Sequence, residues 1–476
     1  MDSPARKKSD LLWILAIAAL LRLITAIYST GFNHPDELFQ VLEPAHGILY
    51  GYWYKTWEWE RGIRCWFLAG VYAGLLKPFV IAGGHGLPRL DDPRNLSFIV
   101  RLITGLFSLV SVWAAYMLTL RFSGRPAARI AGAFLAGWWL FVYFSVRTLT
   151  EPIAMNLVMV SLILTLEAMD HRGRRSSLLS LAGGLLAGIA FAVRFQSGVF
   201  GLSFAAILVL KKRWPLAVYF SIGVLLMVAM VGVIDLATWG NFLHSPIEYF
   251  KFNVLEGGAS REFGTAPWHR YLTGLGRYAT VPLWPFVIFF GFYTLKDFRR
   301  TWPLWLTILP YWFLHQFIGH KEDRFLIPIM PFVVITAVTG WRSWIQTCHS
   351  KFQRWAKTAV LLLVLICNGY MYRHHEWNRH TDFVNDLSAV RNISDLRGLL
   401  ISGHSVPLGG YFYLHRNVAL KAYPNSAIFT YDAVPREFNY LLLYGDQSLI
   451  LSKLKSRNVN CTSVEITTRA PLFRCE

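Results

Sequence analysis

The chain has 476 residues, of which 54% are apolar and only 16% charged. Soluble globular proteins are about one-quarter charged and disordered chains are poor in apolar residues, so both classes are excluded. Lys and Arg total 47 against 28 Asp and Glu, a net charge of +19. No basic stripe or nucleic-acid motif accompanies that excess, so it points to loop charges that orient membrane spans and not to nucleic acid.

The first apolar run, 11–27, follows Arg6, Lys7 and Lys8. No small-residue cleavage site follows it, so it reads as an uncleaved first helix with a cytoplasmic N-terminus. Ten further runs approach spanning length: 98–120, 127–146, 152–169, 178–194, 197–210, 214–236, 280–295, 303–318, 325–343 and 357–373. Alternate connections carry three basic residues each, beginning with Arg121, Arg125 and Arg129, then Arg172, Arg174 and Arg175. The short loops between them carry one or two, which is the positive-inside pattern and sets the C-terminus outside. The threading requires that 65–83 does not cross. That stretch is apolar but holds Lys77 and Pro78, and it reads as a helix lying at the outer interface.

The expected architecture is an all-α polytopic membrane domain over 1–373 with about eleven spanning helices and two long outer loops, 31–97 and 237–279. Residues 374–476 read as a small α/β or β-rich extracytoplasmic domain, with YLLLY at 440–444 as a candidate strand. Cys461 and Cys475 fall in that domain at a spacing that permits a disulfide. No CxxC or His/Cys cluster suggests a metal site.

Chemistry-bearing residues gather in the outer segments. The first outer loop opens NHPDELFQVLEPAHGILYGYWYKTWEWERGIR, with Asp36, Glu37, Glu43, Glu58, His46, Arg64, Trp57 and Trp59. An interfacial loop accounts for the aromatics. It does not account for adjacent carboxylates at the end of a spanning helix, where acids are costly and usually functional. Such a carboxylate can serve as general base toward a hydroxyl. Glu151, in SVRTLTEP, suits either a functional role or a helix N-terminus. GHKEDRFLIP (319–328) sets His320, Lys321 and Arg324 beside an entering helix, an anion site or an ordinary salt-bridged loop. Arg194 adds an outer cation, and FGTAPWHRYL (263–272) adds Trp268 and His269.

These blocks resemble glycosyltransferase family 22, the dolichyl-phosphate-mannose-dependent α-mannosyltransferases of the GT-C superfamily. HPDE at 34–37, Gln40, Glu43, His46, TWEW at 56–59 and Arg64 resemble its first luminal loop. RTLT at 147–150, FKFNV at 250–254, FGTAPWHRY at 263–271 and HKEDRFLIPIMPF at 320–332 match further blocks in the same order, so the resemblance covers about residues 10–345. It is strongest toward the glycosylphosphatidylinositol mannosyltransferase III branch. Three positions depart from the family pattern: Cys65 stands for a Ser, Arg270 for an aromatic and Glu151 for an Asn.

The resemblance implies an inverting transfer of mannose from a polyprenyl- or dolichyl-phosphate donor to a glycolipid or lipid-linked oligosaccharide hydroxyl. The membrane is either the endoplasmic reticulum, with a luminal site, or a bacterial inner membrane, with a periplasmic one. Asp36 is the expected base and Glu37 its neighbour. His320, Lys321, Arg324, His269, Trp268 and Arg64 are expected at the donor, and Glu43, His46, Trp57 and Glu58 at the acceptor. The scheme needs neither metal nor cofactor. Transfer of another lipid-linked sugar and lipid or solute transport are the competing functions. Transport is disfavoured because no internal repeat is visible and the charges lie in outer loops.

Overall fold

A computed structural model describes residues 4–85, 89–273, 283–402, 410–423, 437–444, 447–456, 459–466 and 468–475. Across these, each apolar run expected to span is built mainly of helix in its described part, with a break in 127–146. Among the described residues, eight helices are long and apolar enough to cross a membrane, including Ser9–Tyr28, Pro93–Ser123, Thr150–Asp170, Gly173–Val193 and Trp214–Trp239. Phe67–Gly84 is one of the eight by length and composition.

The chain forms two compact units, neither contiguous in sequence. The first comprises Met1–Ala26, Arg61–Phe67 and Leu102–His375, and the second Ile27–Glu60, Leu68–Arg101 and Glu376–Glu476. Nearly all of helix Phe67–Gly84 thus groups with the C-terminal part and not with the main bundle.

In the first unit, Gly173–Val193 packs between Thr150–Asp170 and Trp214–Trp239. Lipid supplies no hydrophobic drive for helix association, so close backbone approach through small residues takes its place. A Cβ on Gly184 would lie 1.9 Å from the Phe220 carbonyl oxygen, and one on Gly223 would lie 2.4 Å from that of Leu181.

The run expected as one span at 127–146 is broken into Arg125–Gly137 and Trp139–Phe144, because Trp138 is extended (φ −71°, ψ 130°). A break within an apolar bundle exposes backbone groups that must be paired internally. Buried Arg22, on the first helix, donates to the carbonyls of Leu135 (2.8 Å) and Ala136. Asn368 donates to the Gly137 carbonyl at 2.9 Å, Tyr372 donates to it at 3.2 Å, and the Asn368 amide oxygen accepts the Trp139 N–H at 2.9 Å.

The second unit holds a five-stranded sheet of order β2-β1-β3-β5-β4, with β1 Gly398–Ser402, β2 Ala419–Tyr423, β3 Tyr440–Leu443, β4 Cys461–Val464 and β5 Leu472–Cys475. Strand β1 pairs in parallel with β2 and β3, while β5 is antiparallel to β3 and β4. All four residues of β3 are buried, as befits a central strand covered on both faces. Leu400, Leu441, Ile450, Leu454 and Phe473 form the core. Cys461 and Cys475 lie opposite each other in register and are disulfide-bonded. Closing a loop of that length is worth about 3 kcal/mol.

Gly184→Ala is expected to cost about 1–3 kcal/mol through overpacking at the helix crossing. A lower unfolding temperature in lipid nanodiscs is the readout, and an unchanged one would show that the crossing is not held at backbone contact.

Candidate active site

The second unit contains the paired acids. After the first spanning helix the chain turns through Asn33–Pro35 into a π-helical turn, Leu38–Leu42, in which the Glu43 N–H reaches back to the Leu38 carbonyl. Extra residues of this kind cluster at functional sites. The turn separates the two carboxylates. Glu37 is 4% exposed and its Oε1 accepts the N–H of Asn33 (2.6 Å) and of His34 (3.3 Å). Asp36 keeps 24% of its side chain exposed and pairs with His34 Nδ1 at 3.2 Å. Asp36 is therefore the accessible acid and Glu37 the one that shapes the turn.

Further along, Trp59 is fully buried and donates its indole N–H to the Phe39 carbonyl at 2.8 Å. Neighbouring Trp57 is 39% exposed, and Glu58 accepts from Gln40 Nε2 at 3.2 Å. Glu43 and His46, expected at the acceptor, are buried, 0% and 1% exposed. Glu43 accepts the N–H of Tyr54 (2.7 Å) and of Phe412 (2.6 Å). His46 pairs with the Tyr52 carbonyl (2.9 Å) and His415 (3.1 Å). Both side chains are committed to internal partners and hold the first loop to 410–415. The sequence offered no signal for that partner, since the two segments lie more than 360 residues apart. Burial raises the Glu43 carboxyl to about 7 and lowers the His46 imidazole to about 4.

The first unit contains the cations. Arg324 grips Glu322 with two donors, Nε to Oε2 at 2.6 Å and Nη2 to Oε1 at 3.1 Å. His320 Nε2 shares that Oε1 at 3.1 Å, and this bond raises the imidazole above its usual range. Glu151, fully buried, takes Arg194 at 2.8 Å and Arg324 at 3.5 Å on one oxygen. Arg270 pairs with Asp323 at 3.2 Å. Lys321 is different: it is 8% exposed, its amine donates to the Ile318 carbonyl, and no carboxylate faces it among the described residues. Burial pushes its ammonium below the usual lysine range. Lys321 and His320 line a cleft of about 360 Å³ with Gly264, Thr265, His269 and Arg270. His269 and Trp268 are exposed, their rings edge to face at 5.7 Å. Arg64 lies with its guanidinium 5.9 Å from the Tyr249 ring. Glu322 lies within the HKEDR block, whose pattern alone assigns it no role.

The Alg9-like mannosyltransferase family pattern matches residues 13–402. The chain belongs to that family. It is an integral membrane glycosyltransferase, and its relatives are named mannosyltransferases. GPI mannosyltransferase 3 of Yarrowia lipolytica (strain CLIB 122 / E 150) is 28% identical over 424 residues, covering 85% of this chain and 75% of its own. GPI alpha-1,2-mannosyltransferase 3 of Xenopus laevis is 27% identical over 400 residues, covering 81% and 69%. ArnT from Cupriavidus metallidurans, solved bound to undecaprenyl phosphate, superposes with a TM-score of 0.64 at 13% identity over 97% of each chain. That likeness shows the fold, the GT-C architecture expected for this family member.

A raised carboxyl favours the protonated folded state. Glu43 therefore adds stability below the unfolded carboxyl value near 4.3, and that contribution is lost as pH rises through about 7. Glu43→Gln is expected to flatten the fall in unfolding temperature between pH 5 and pH 8. A pH profile identical to that of the wild type would remove Glu43 as its source.

Proposed function

We propose that this family member transfers mannose from a polyprenyl- or dolichyl-phosphate donor to a hydroxyl of a glycolipid or lipid-linked glycan, with inversion, forming an α-mannoside. The observation that carries this reading is Lys321, a buried ammonium on a cleft wall whose partner among the described residues is a carbonyl. A buried cation without a counter-ion is costly, and a phosphate supplies one.

The acceptor hydroxyl attacks the anomeric carbon as the bond to the phosphate oxygen breaks. Its proton passes to Asp36, and the lipid phosphate leaves with the bonding electrons. Asp36 suits the base because it is the accessible acid of the pair, while Glu37 fixes the turn through two backbone N–H groups. Lys321 stabilises the charge that develops on the leaving oxygen, with His320, His269 and Arg270 on the same cleft wall. Arg324 orders the cleft by clamping Glu322. Trp57 offers an exposed face for a sugar of the acceptor, with Glu58 beside it. The names of the relatives favour a glycosylphosphatidylinositol precursor as acceptor and an α-1,2 linkage. The Cys461–Cys475 disulfide favours an oxidising compartment for the C-terminal domain, luminal or periplasmic.

The test is mannose transfer by the purified protein in nanodiscs, with lipid-phosphate mannose offered beside nucleotide-linked mannose. Transfer only from the lipid donor is expected, and Asp36→Asn is expected to abolish turnover while donor binding survives. Wild-type turnover in that variant would sink the base assignment. Lys321→Ala is expected to raise the donor KM about tenfold or more with folding intact, the loss of a charge-assisted contact. An unchanged KM would take Lys321 out of the phosphate site.

A further inference from the structure

The span Asp323–Gln346 carries Arg324 near its start and Arg342 near its end. The two arginines are therefore roughly 30 Å apart along its axis, at opposite ends of the bundle. Around Arg342 lies a cavity of about 270 Å³, walled also by Ser123, Thr294, Lys296, Asp297, Arg300 and Thr339. One water needs only about 10–15 Å³, so the space admits a larger polar group. The connection between the apolar runs 280–295 and 303–318 supplies Lys296, Arg299 and Arg300. The positive-inside pattern assigns that end to the cytoplasm, away from Lys321.

Three cations wall this cavity against one carboxylate, Asp297. Other basic residues at that end have acids: Arg121 pairs with Asp170, and Asp10 takes Arg125 at 2.6 Å and Arg129 at 3.6 Å. Among the described residues Arg300 donates to a carbonyl, that of Arg121 at 3.3 Å, and the Lys296 ammonium stands 4.3 Å from the Tyr293 ring centroid. Thr339 is 4% exposed, and its hydroxyl has no hydrogen-bond partner among the described residues. A helical Thr can bond back to the carbonyl four residues earlier, as Thr336 does to Phe332 at 2.7 Å. Thr339 forgoes that bond on a cavity wall, and a buried polar group without a partner calls for an explanation. The wall itself is braced. Thr301 bonds the Thr294 carbonyl at 3.0 Å, and Trp305 donates its indole N–H to Thr294 Oγ1 at 3.1 Å. The Phe292 ring stacks on Trp305 at 5.7 Å. Phe292, Leu295 and Phe298 are exposed beside this charged cavity, an apolar surface suited to hydrocarbon.

We propose that this cavity binds the phosphate head of an anionic phospholipid from the cytoplasmic leaflet. Arg300 and Arg342 take the phosphate oxygens, the Thr339 hydroxyl donates to one of them, and the acyl chains lie over Phe292, Leu295 and Phe298. Basic pockets between spanning helices on the cytoplasmic side suit such headgroups. The adjoining apolar side chains favour a phosphate joined to hydrocarbon over a soluble anion. The inference goes beyond the transfer reaction and does not depend on which sugar donor is used.

The test titrates phosphatidylglycerol into the full chain in neutral detergent micelles and reads bound lipid by native mass spectrometry. Phosphatidylcholine is the zwitterionic control, and glycerol phosphate, the head without chains, is offered in a parallel arm. The wild type is expected to prefer phosphatidylglycerol to phosphatidylcholine by about tenfold or more. Arg342→Gln is expected to lower phosphatidylglycerol affinity about tenfold or more, and Thr339→Val about threefold to tenfold. Thr339→Val removes a hydroxyl without a partner among the described residues, so the unfolding temperature without lipid is expected to hold. Arg299→Gln removes an exposed cation of the same connection that does not wall the cavity, and it is expected to change affinity about threefold or less. If Arg342→Gln fails to fold, Thr339→Val decides. Equal losses in Arg299→Gln and Arg342→Gln, with wild-type affinity in Thr339→Val, would reduce the site to diffuse surface charge and overturn the inference. Equal binding of the two lipids by the wild type would also overturn it. Glycerol phosphate bound as tightly as phosphatidylglycerol would reassign the cavity to a soluble anion.

Discussion

One buried carboxylate constrains the charged cluster of the bundle. Glu151 has no solvent exposure, and one of its oxygens serves both Arg194 and Arg324. Two guanidiniums at that depth repel each other and lose their hydration, and only an anion between them makes the arrangement tolerable. Arg324 then extends the network to Glu322, and Glu322 to His320. Among the described residues the carboxylates pair with the arginines, while the Lys321 amine donates to the Ile318 carbonyl.

The scaffold around that network follows from the absence of water. A helix broken at Trp138 would be intolerable in hydrocarbon without internal partners, and Arg22, Asn368 and Tyr372 provide them. The same absence removes the hydrophobic drive for helix pairing, so Gly184 and Gly223 bring backbones together where larger residues would hold them apart.

The first loop shows how neighbouring acids take different duties. Asp36 and Glu37 are adjacent, yet backbone N–H groups cap Glu37 while Asp36 keeps partial exposure beside His34. Glu43 and His46 sit only a turn or two further on, but they face inward to Phe412 and His415. Four residues of similar chemistry thus divide into one accessible acid and three internal supports.

Much was legible in the chain. Hydropathy placed the helical runs, because a bilayer demands about twenty apolar residues per crossing wherever they fall. The blocks HPDE, TWEW and HKEDRF marked the charged segments between apolar runs, and the excess of Lys and Arg in alternate loops was readable from residue order. The break at Trp138 was not legible, since nothing in AGWWLF departs from a spanning helix and the pairing that sustains the break comes from Arg22 and Asn368. Nor could the sequence show which cations are compensated. Lys321, Arg324 and Arg194 read alike as outer positive charges, and only the fold sets Glu151 and Glu322 against the two arginines. Residue type and local period belong to the chain itself. Which buried charge meets which partner depends on segments distant in sequence, so it exists only once the helices have packed.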